Sequence, residues 1–562
     1  MSVAQRQILQ PLTRLLPRRG DYAGLSHSWR GDVVAGATVG VVALPLALAF
    51  GITSGIGAEA GLITAIVAGL VAGLFGGSNV QVSGPTGAMT VVLVPVVAHY
   101  GADAVLLVGV MAGLLVMAAA FLRLGRYLAF VPWPVVEGFT IGIAVIIFLQ
   151  QVPAALGVVK PHGESTSLIA VKALGDAAHH GRLPALAIVF LVAGIMTLLP
   201  RVRRSLPTSL VAVIVATALT EALHLDVARI GTLPHSLPLP ALPSVSATRV
   251  SELFSAALAV ALLATLESLL SAKVADGMAD TARHDPDREL FGQGLANIVS
   301  SLFGGMPATG AIARTAVNVR SGARTRVAAM THSLVLVLVV FFAADLVSKI
   351  PLAALAGVLM VTAVRMVEVH NVRAVLRATR SDAAVLCLTA LATVVFDLIM
   401  AVEIGIAAAA VLALRHVART AQVTPISSDV LDPNRAGSLL DEGILTYRLD
   451  GALFFGAAQR FLTELTAVSD ARVVVLRLPA LQVLDATGAQ ALGEIVAELE
   501  DRGITVLLKG PRPEHLRVLA ATGVLARLAH QNHLFGDLDA ALAHARLHVA
   551  RAREADEITA PA

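Results

Sequence analysis

Two charged side chains stand where charge is costly. Glu267 follows thirteen uncharged residues, Phe254 to Leu266, and Arg314 lies four residues past Gly310 inside another apolar region. An ionisable group at membrane depth faces a cavity or a partner, so each is a candidate for chemistry. A guanidinium adds positive potential for an anion, and the plain alternative is an Arg reaching toward the cytoplasmic face. A carboxylate beside an anion repels it unless a proton or Na+ cancels the charge, which would couple cation entry to anion entry. Its alternative is a structural ion pair with Lys273 or Arg314. Ser271 lies one turn after Glu267 on the same helix face.

Arg314 closes a stretch that no lipid-facing helix would use, Phe303-Gly-Gly-Met-Pro-Ala-Thr-Gly-Ala-Ile-Ala-Arg314. An earlier stretch, Phe75-Gly-Gly-Ser-Asn-Val-Gln-Val-Ser-Gly-Pro-Thr-Gly87, has the same character, and both open on Leu-Phe-Gly-Gly. Interrupted backbone is tolerated in a bilayer only when protein or a water-filled cavity satisfies it. Paired interruptions in two halves of a membrane chain point to a transporter's binding site. A helix beginning at such a break aims unpaired N–H groups and its positive dipole end into the protein, an arrangement that binds anions. Tight turns near the membrane surface are the alternative reading.

The positioning elements follow from composition. Of 562 residues 56% are hydrophobic and 14% charged, with mean hydropathy +0.78. Soluble domains carry about 25% charged residues, so the chain reads as a polytopic membrane protein. Apolar runs cover roughly 31–52 (with Pro45 expected to kink or end the first), 60–75, 87–97, 103–122, 128–156, 184–200 and 208–224. After a Pro-rich loop they continue at 252–272, 289–303, 309–320, 327–347, 351–365, 382–399 and 401–415. That gives seven per half, repeat one at about 31–225 and repeat two at about 251–420. Arg and Lys recur in alternate loops: Arg123 and Arg126, Arg201 and Arg203, Lys273 and Arg283, Arg320 and Arg324, Arg373 and Arg377, then Arg415. This fits an internal N-terminus. An odd number of spans per half turns the halves over, the plan of an inverted repeat.

Residues 1–30 form a basic N-terminal segment without a signal-peptide cleavage site, expected in the cytoplasm. The single cysteine, Cys387, excludes a disulfide framework. Glu137 is a second intramembrane acid, read as structural or gating, while Asp397 and Glu403 bracket a turn and read as solvated. Residues 421–442 read as a linker, 443–550 as a soluble α/β domain and 551–562 as a tail. No nucleophile–base pair or metal-ligand spacing suggests an enzyme, and nothing suggests nucleic-acid binding.

Longer motifs resemble the sulfate permease (SulP) family of anion transporters. They are Asp32-Val-Val-Ala-Gly-Ala-Thr-Val39, Leu44-Pro-Leu-Ala-Leu-Ala-Phe50, Gly61-Leu62, Gly84-Pro-Thr-Gly87, Glu267-Ser-Leu-Leu-Ser271, Phe303-Gly-Gly305 and Arg314-Thr315. Leu484-Asp-Ala-Thr-Gly-Ala-Gln-Ala-Leu492 resembles the signature of a STAS domain. The resemblance implies fourteen segments in a 7+7 inverted repeat with core and gate domains, a cytoplasmic STAS domain, a homodimer and elevator-like motion at the plasma membrane. The substrate would be a small inorganic oxyanion, bicarbonate or sulfate. Carried over by residue, Thr86 and Gly87 line the site from the first half, Ala308, Thr309, Gly310 and Arg314 from the second. Phe50 forms an apolar wall, and Glu267 with Ser271 forms the coupling position for H+ or Na+; no other cofactor is implied. Leu46 stands where many members carry Gln. The wording is nearest the bicarbonate-transporting branch, yet that branch has Asp where this chain has Glu267, as proton-coupled members do. Ala486 occupies the position of the phosphorylated Ser of anti-sigma-factor antagonists, which removes that switch and leaves a cytoplasmic regulator as the STAS partner. An uncoupled exchanger or channel, a C4-dicarboxylate:H+ symporter, a membrane-anchored sensor and a nucleobase permease are the competing readings.

Overall fold

The computed structural model describes residues 15–22, 24–126, 132–161, 166–180, 183–203, 206–233, 236–243, 246–396, 398–420, 422–425, 442–454, 471–530 and 532–559. Asp397 and most of the sequence-predicted linker lie outside these residues. The chain divides into two compact units, Met1–Ile406 and Ala407–Ala562.

The first unit is helical. In order it contains α1 (Leu25–Ser54), α2 (Ala58–Phe75), β1 (Ser83–Gly84), α3 (Gly87–Tyr100), α4 (Asp103–Phe121), α5 (Trp133–Gln150), α6 (Val152–Leu156), α7 (Thr166–His180), α8 (Leu183–Val202) and α9 (Thr208–Ala222). Then come α10 (Ala247–Met278), α11 (Pro286–Leu302), β2 (Thr309–Gly310), α12 (Ile312–Arg320), α13 (Val327–Ser348), α14 (Leu352–Met366), α15 (Val369–Ala378), α16 (Arg380–Val395) and α17 (Leu398–Thr420). Eight of the described helices are long and apolar enough to cross a membrane, and α3 and α9 are shorter apolar helices. By packing, α1 to α4 gather with α10 to α13, while α5, α8, α9, α14 and α16 form a second group. The groups meet where α1 lies on α9 and α14, and where α3 lies on α5.

Several details differ from the sequence expectation. Pro45 neither ends nor splits α1, which runs on to Ser54 and stops at Gly55 in the left-handed region (φ +86°). A membrane helix tolerates the missing N–H where its neighbours satisfy the freed carbonyl. The 128–156 run breaks at Gln151 into α5 and α6. Helices α7 and α15 were not expected, because their alternating apolar and charged residues resemble loops in a hydropathy reading.

Helices α1 and α2 cross with their backbones touching. A Cβ on Gly61 would lie 2.0 Å from the Ala47 carbonyl oxygen, and one on Gly51 2.3 Å from the Gly57 carbonyl oxygen. Small residues permit this approach in membranes, where dispersion rather than hydrophobicity drives helix association. Gly61→Ala is therefore expected to destabilise the protein by about 2–4 kcal/mol and lower its thermal midpoint in detergent. Gly194→Ala, whose methyl meets nothing within 4 Å, is the matched control and should leave the midpoint unchanged.

The second unit is α/β. It contains β3 (Gln422–Pro425), β4 (Ile444–Leu453), β5 (Val473–Arg477), β6 (Leu481–Leu484), α18 (Ala486–Asp501), β7 (Thr505–Lys509), α19 (Pro513–Ala521), α20 (Val524–His530), β8 (Leu534–Phe535) and α21 (Leu538–Thr559). The sheet runs β3-β4-β5-β7-β8, with β6 also on β4, and every pairing is parallel except β3 with β4. Alternation sorts the side chains by face. Leu476, Val506 and Leu508 pack with Leu492 and Ile495 of α18, while Val473, Val475 and Leu507 pack with Ala541, Ala545 and Val549 of α21. Two boundaries move accordingly. Residues 422–425, expected as linker, supply an edge strand, and α21 runs on to Thr559 through residues expected as a tail.

Candidate functional site

The two interrupted segments meet. Ser83 pairs with Gly310 and Gly84 with Thr309 in an antiparallel two-stranded ladder, joining positions 227 and 225 residues apart in sequence. Ala311 N–H extends the ladder to the Val82 carbonyl at 2.9 Å. Side chains from surrounding helices satisfy the rest of the broken backbone. Asn297 accepts from Ala308 N–H at 2.9 Å and donates to the Ala308 carbonyl at 3.0 Å. The Thr64 hydroxyl accepts from Met306 N–H at 2.7 Å, and the Glu289 carboxylate accepts from Gly77 and Ser78 N–H at 2.7 and 3.0 Å. Asn318 donates to the Val80 carbonyl at 2.8 Å. Buried polar backbone is thereby paired, as a low-dielectric interior demands.

From this ladder α3 and α12 depart in sequence, with Thr86 and Ala311 as their N-cap residues. Neither N-cap side chain accepts a bond from its own helix. Thr86 lies in the extended region, where a threonine commonly caps, yet its hydroxyl turns away and donates to Glu267 Oε2 at 2.9 Å. Thr309 donates to the same oxygen at 2.6 Å, and the two threonine hydroxyls are 3.5 Å apart. One carboxylate oxygen thus joins both broken segments. Among the described residues Glu267 makes no ion pair with Lys273 or Arg314, so the ion-pair alternative is not what the geometry holds.

Arg314 is 3% exposed. Its Nη2 donates to the Pro85 carbonyl at 2.5 Å, and its Nη1 has no hydrogen-bond partner. Gly84 makes room for it, since a Cβ there would lie 2.6 Å from Nη1. The alternative of an Arg extended to the surface does not hold. Phe50, buried at the far side of Gly87, forms with Ile147 a wall against which a Cβ on Gly87 would collide, 3.3 Å from the Phe50 ring and 2.1 Å from Ile147 Cδ1. Gly310 donates its N–H to Ser268 Oγ at 2.9 Å and is overlain by the Gln81 amide, which is buried without a partner.

Ser271 is not brought to the Glu267 carboxylate. Its hydroxyl donates to Thr315 Oγ1 at 3.1 Å, and that oxygen also accepts from Val82 N–H at 3.0 Å. Ser271 therefore buttresses the first broken segment. Glu137 lies one turn into α5, where it accepts from Trp133 Nε1 at 2.9 Å and Asn371 Nδ2 at 3.1 Å and so ties α5 to α15. Glu403 is exposed.

Sequence reasoning missed Ser268, Gln81, Thr64 and the polar stripe Glu289, Gln293 and Asn297. The stripe had a signal: Glu289, Gln293 and Asn297, at i, i+4 and i+8, lie on one face of their helix. Gln81 and Ser268 lie inside stretches singled out above, but the partner each meets depends on the opposite segment.

Helices that bury a pair of broken, mutually hydrogen-bonded segments, followed by an α/β unit with a parallel sheet, define a multi-pass membrane transport protein with an appended domain. The sequence model of the sulfate permease family matches residues 29–389, and that of the STAS domain matches residues 440–541. The chain belongs to the sulfate permease family, a family of transporters, and is not an enzyme. It is 36% identical over 526 residues to YvdB of Bacillus subtilis, which bears a sulfate-transporter name, covering 91% of this chain and 97% of that one. It is 32% identical over 536 residues to the bicarbonate transporter BicA of Synechocystis, covering 92% and 94%. The murine Solute Carrier 26 family member A9 structure superposes with a TM-score of 0.83 at 16% identity, over 95% of this chain and 94% of that one, a likeness of fold.

Proposed function

We propose that this protein carries a small inorganic oxyanion, bicarbonate or sulfate, across the plasma membrane as a secondary transporter coupled to H+ or Na+. The observation that carries the reading is the ladder between Ser83–Gly84 and Thr309–Gly310, from which two uncapped helices start beside the free Nη1 of Arg314. Helix N-termini and a guanidinium are donors that favour negative charge. Thr86, Gly87, Ala308, Thr309, Gly310 and Arg314 form the anion site, with Phe50 as its apolar wall. The sulfate and bicarbonate names of the two relatives favour an oxyanion.

Glu267 is the coupling residue. Its Oε2 already holds both threonine hydroxyls, so an ionised carboxylate competes with the anion for the same donors and repels it. A proton or Na+ at Glu267 removes that conflict, and anion and cation then cross together. The two packing groups are the core and gate of a 7+7 inverted repeat, and the core carries the site past the gate in an elevator-type motion. The protein works as a homodimer with the N-terminus and STAS domain in the cytoplasm.

Purified protein in liposomes, given labelled bicarbonate, sulfate or fumarate with and without inward H+ or Na+ gradients, tests this. Bicarbonate or sulfate uptake is expected, increased by one of the two cation gradients. Uptake indifferent to both gradients would establish an uncoupled carrier instead, and preference for fumarate would overturn the oxyanion assignment.

A further inference from the structure

Three imidazoles converge at one edge of the α/β unit, far in sequence from the transport site. His544 and His548 stand at i and i+4 on α21, so both rings leave the same face of the helix. His533 enters from the chain just before β8. His544 Nε2 and His548 Nε2 are 3.2 Å apart, and one nitrogen from each of the three rings lies within 4.8 Å of the others. The rings make edge contacts with centroids 4.9 to 5.6 Å apart, and Phe535 closes one side. His533 is only 3% exposed and its Nδ1 has no hydrogen-bond partner, while His544 and His548 are half-buried and give access from solvent.

We propose that His533, His544 and His548 bind a divalent transition-metal ion, zinc in the first instance, that pins α21 to the edge of the sheet. Imidazole nitrogens suit Zn2+, Cu2+ and Ni2+ better than hard cations. Nitrogens around tetrahedral zinc, at about 2.0–2.1 Å from the metal, are about 3.3 Å apart. The His544–His548 pair already has that spacing, and His533 brings a nitrogen within 4.8 Å of both. Water fills the fourth position. Without metal, the buried His533 Nδ1 forfeits a hydrogen bond, which is costly in an apolar setting. With metal, a bond from each ring replaces contacts among three like groups. Binding links the strand end to the last helix, whose Ala541, Ala545 and Val549 cover one face of the sheet. Metal occupancy therefore sets how firmly this domain is closed.

The test uses untagged full-length protein in nanodiscs, stripped with chelator and titrated with ZnCl2 by calorimetry, then with CoCl2 by absorption. One zinc per chain at micromolar or tighter affinity is expected, together with the ligand-field spectrum of four-coordinate Co2+. The substitutions His544→Gln and His548→Gln fall on half-exposed positions and keep the helix. Each should weaken zinc by about tenfold or more, since losing one of three ligands removes most of the chelate. Zinc should also raise the unfolding temperature of the wild type and not of the variants. Absence of the Co2+ spectrum in the wild type, or equal zinc affinity in the H533A/H544Q/H548Q variant, would overturn the proposal.

Discussion

Replacing Arg314 by methionine will reduce the initial rate of anion uptake by about 100-fold at low substrate, equivalent to about 2.7 kcal/mol. Two effects add. The Pro85 carbonyl loses the donor that holds it at 2.5 Å, and a buried acceptor left unpaired costs about 1–3 kcal/mol. The anion also loses Nη1, a buried cationic donor that no protein group uses. Methionine fills similar volume, so the membrane unit should still elute as a single species with helix content unchanged. Arg314→Lys separates the two effects. It keeps a positive charge but not the planar fork that reaches Pro85 and the anion together, so it should recover part of the uptake. Normal uptake by Arg314→Met would remove the guanidinium from the site.

Glu267→Gln will abolish the response of uptake to the coupling gradient while leaving anion exchange across the membrane. The amide oxygen can still accept from Thr86 and Thr309, so the bridge between the two broken segments survives. What disappears is the negative charge that, in the proposed function, a cation cancels. Concentrative uptake driven by the H+ or Na+ gradient should fall by about 100-fold, and counterflow of labelled anion should change by less than about threefold. Glu267→Asp shortens the side chain by one methylene and cannot hold both hydroxyls at 2.6 and 2.9 Å, so it should slow transport while retaining a gradient response. Gradient-driven accumulation by the Gln variant at the wild-type level would show that coupling lies elsewhere.

The two experiments divide the site by charge. In the proposed function Arg314 acts on the anion in either cation state, whereas Glu267 decides when the anion is admitted. A single hydrogen-bonded cluster spanning both halves allows them to communicate. Thr309 is fully buried and touches Glu267 directly, so whatever alters the carboxylate alters the ladder on which the anion site is built.

Much of this arrangement was legible in the chain itself. Gly and Pro within apolar runs announced both broken segments, because backbone that cannot continue a helix must be satisfied by protein. The apolar runs marked most of the membrane helices, and most helix ends fall within a few residues of those runs. The amphipathic α7 and α15 were hidden because hydropathy averages out a two-faced helix. Which side chains would meet was not legible. Ser268 and Ser271 are three residues apart on α10, yet the first receives Gly310 N–H and the second turns to Thr315. Likewise His533 joins His544 and His548 only because β8 starts beside α21. Periodicity and composition act over a few residues, so the sequence alone determined most of the apolar helices, the two broken segments and the buried charges Glu267 and Arg314. The choice among partners hundreds of residues apart depends on how the helices pack and which buried polar groups remain to be paired, and only the tertiary structure decided that.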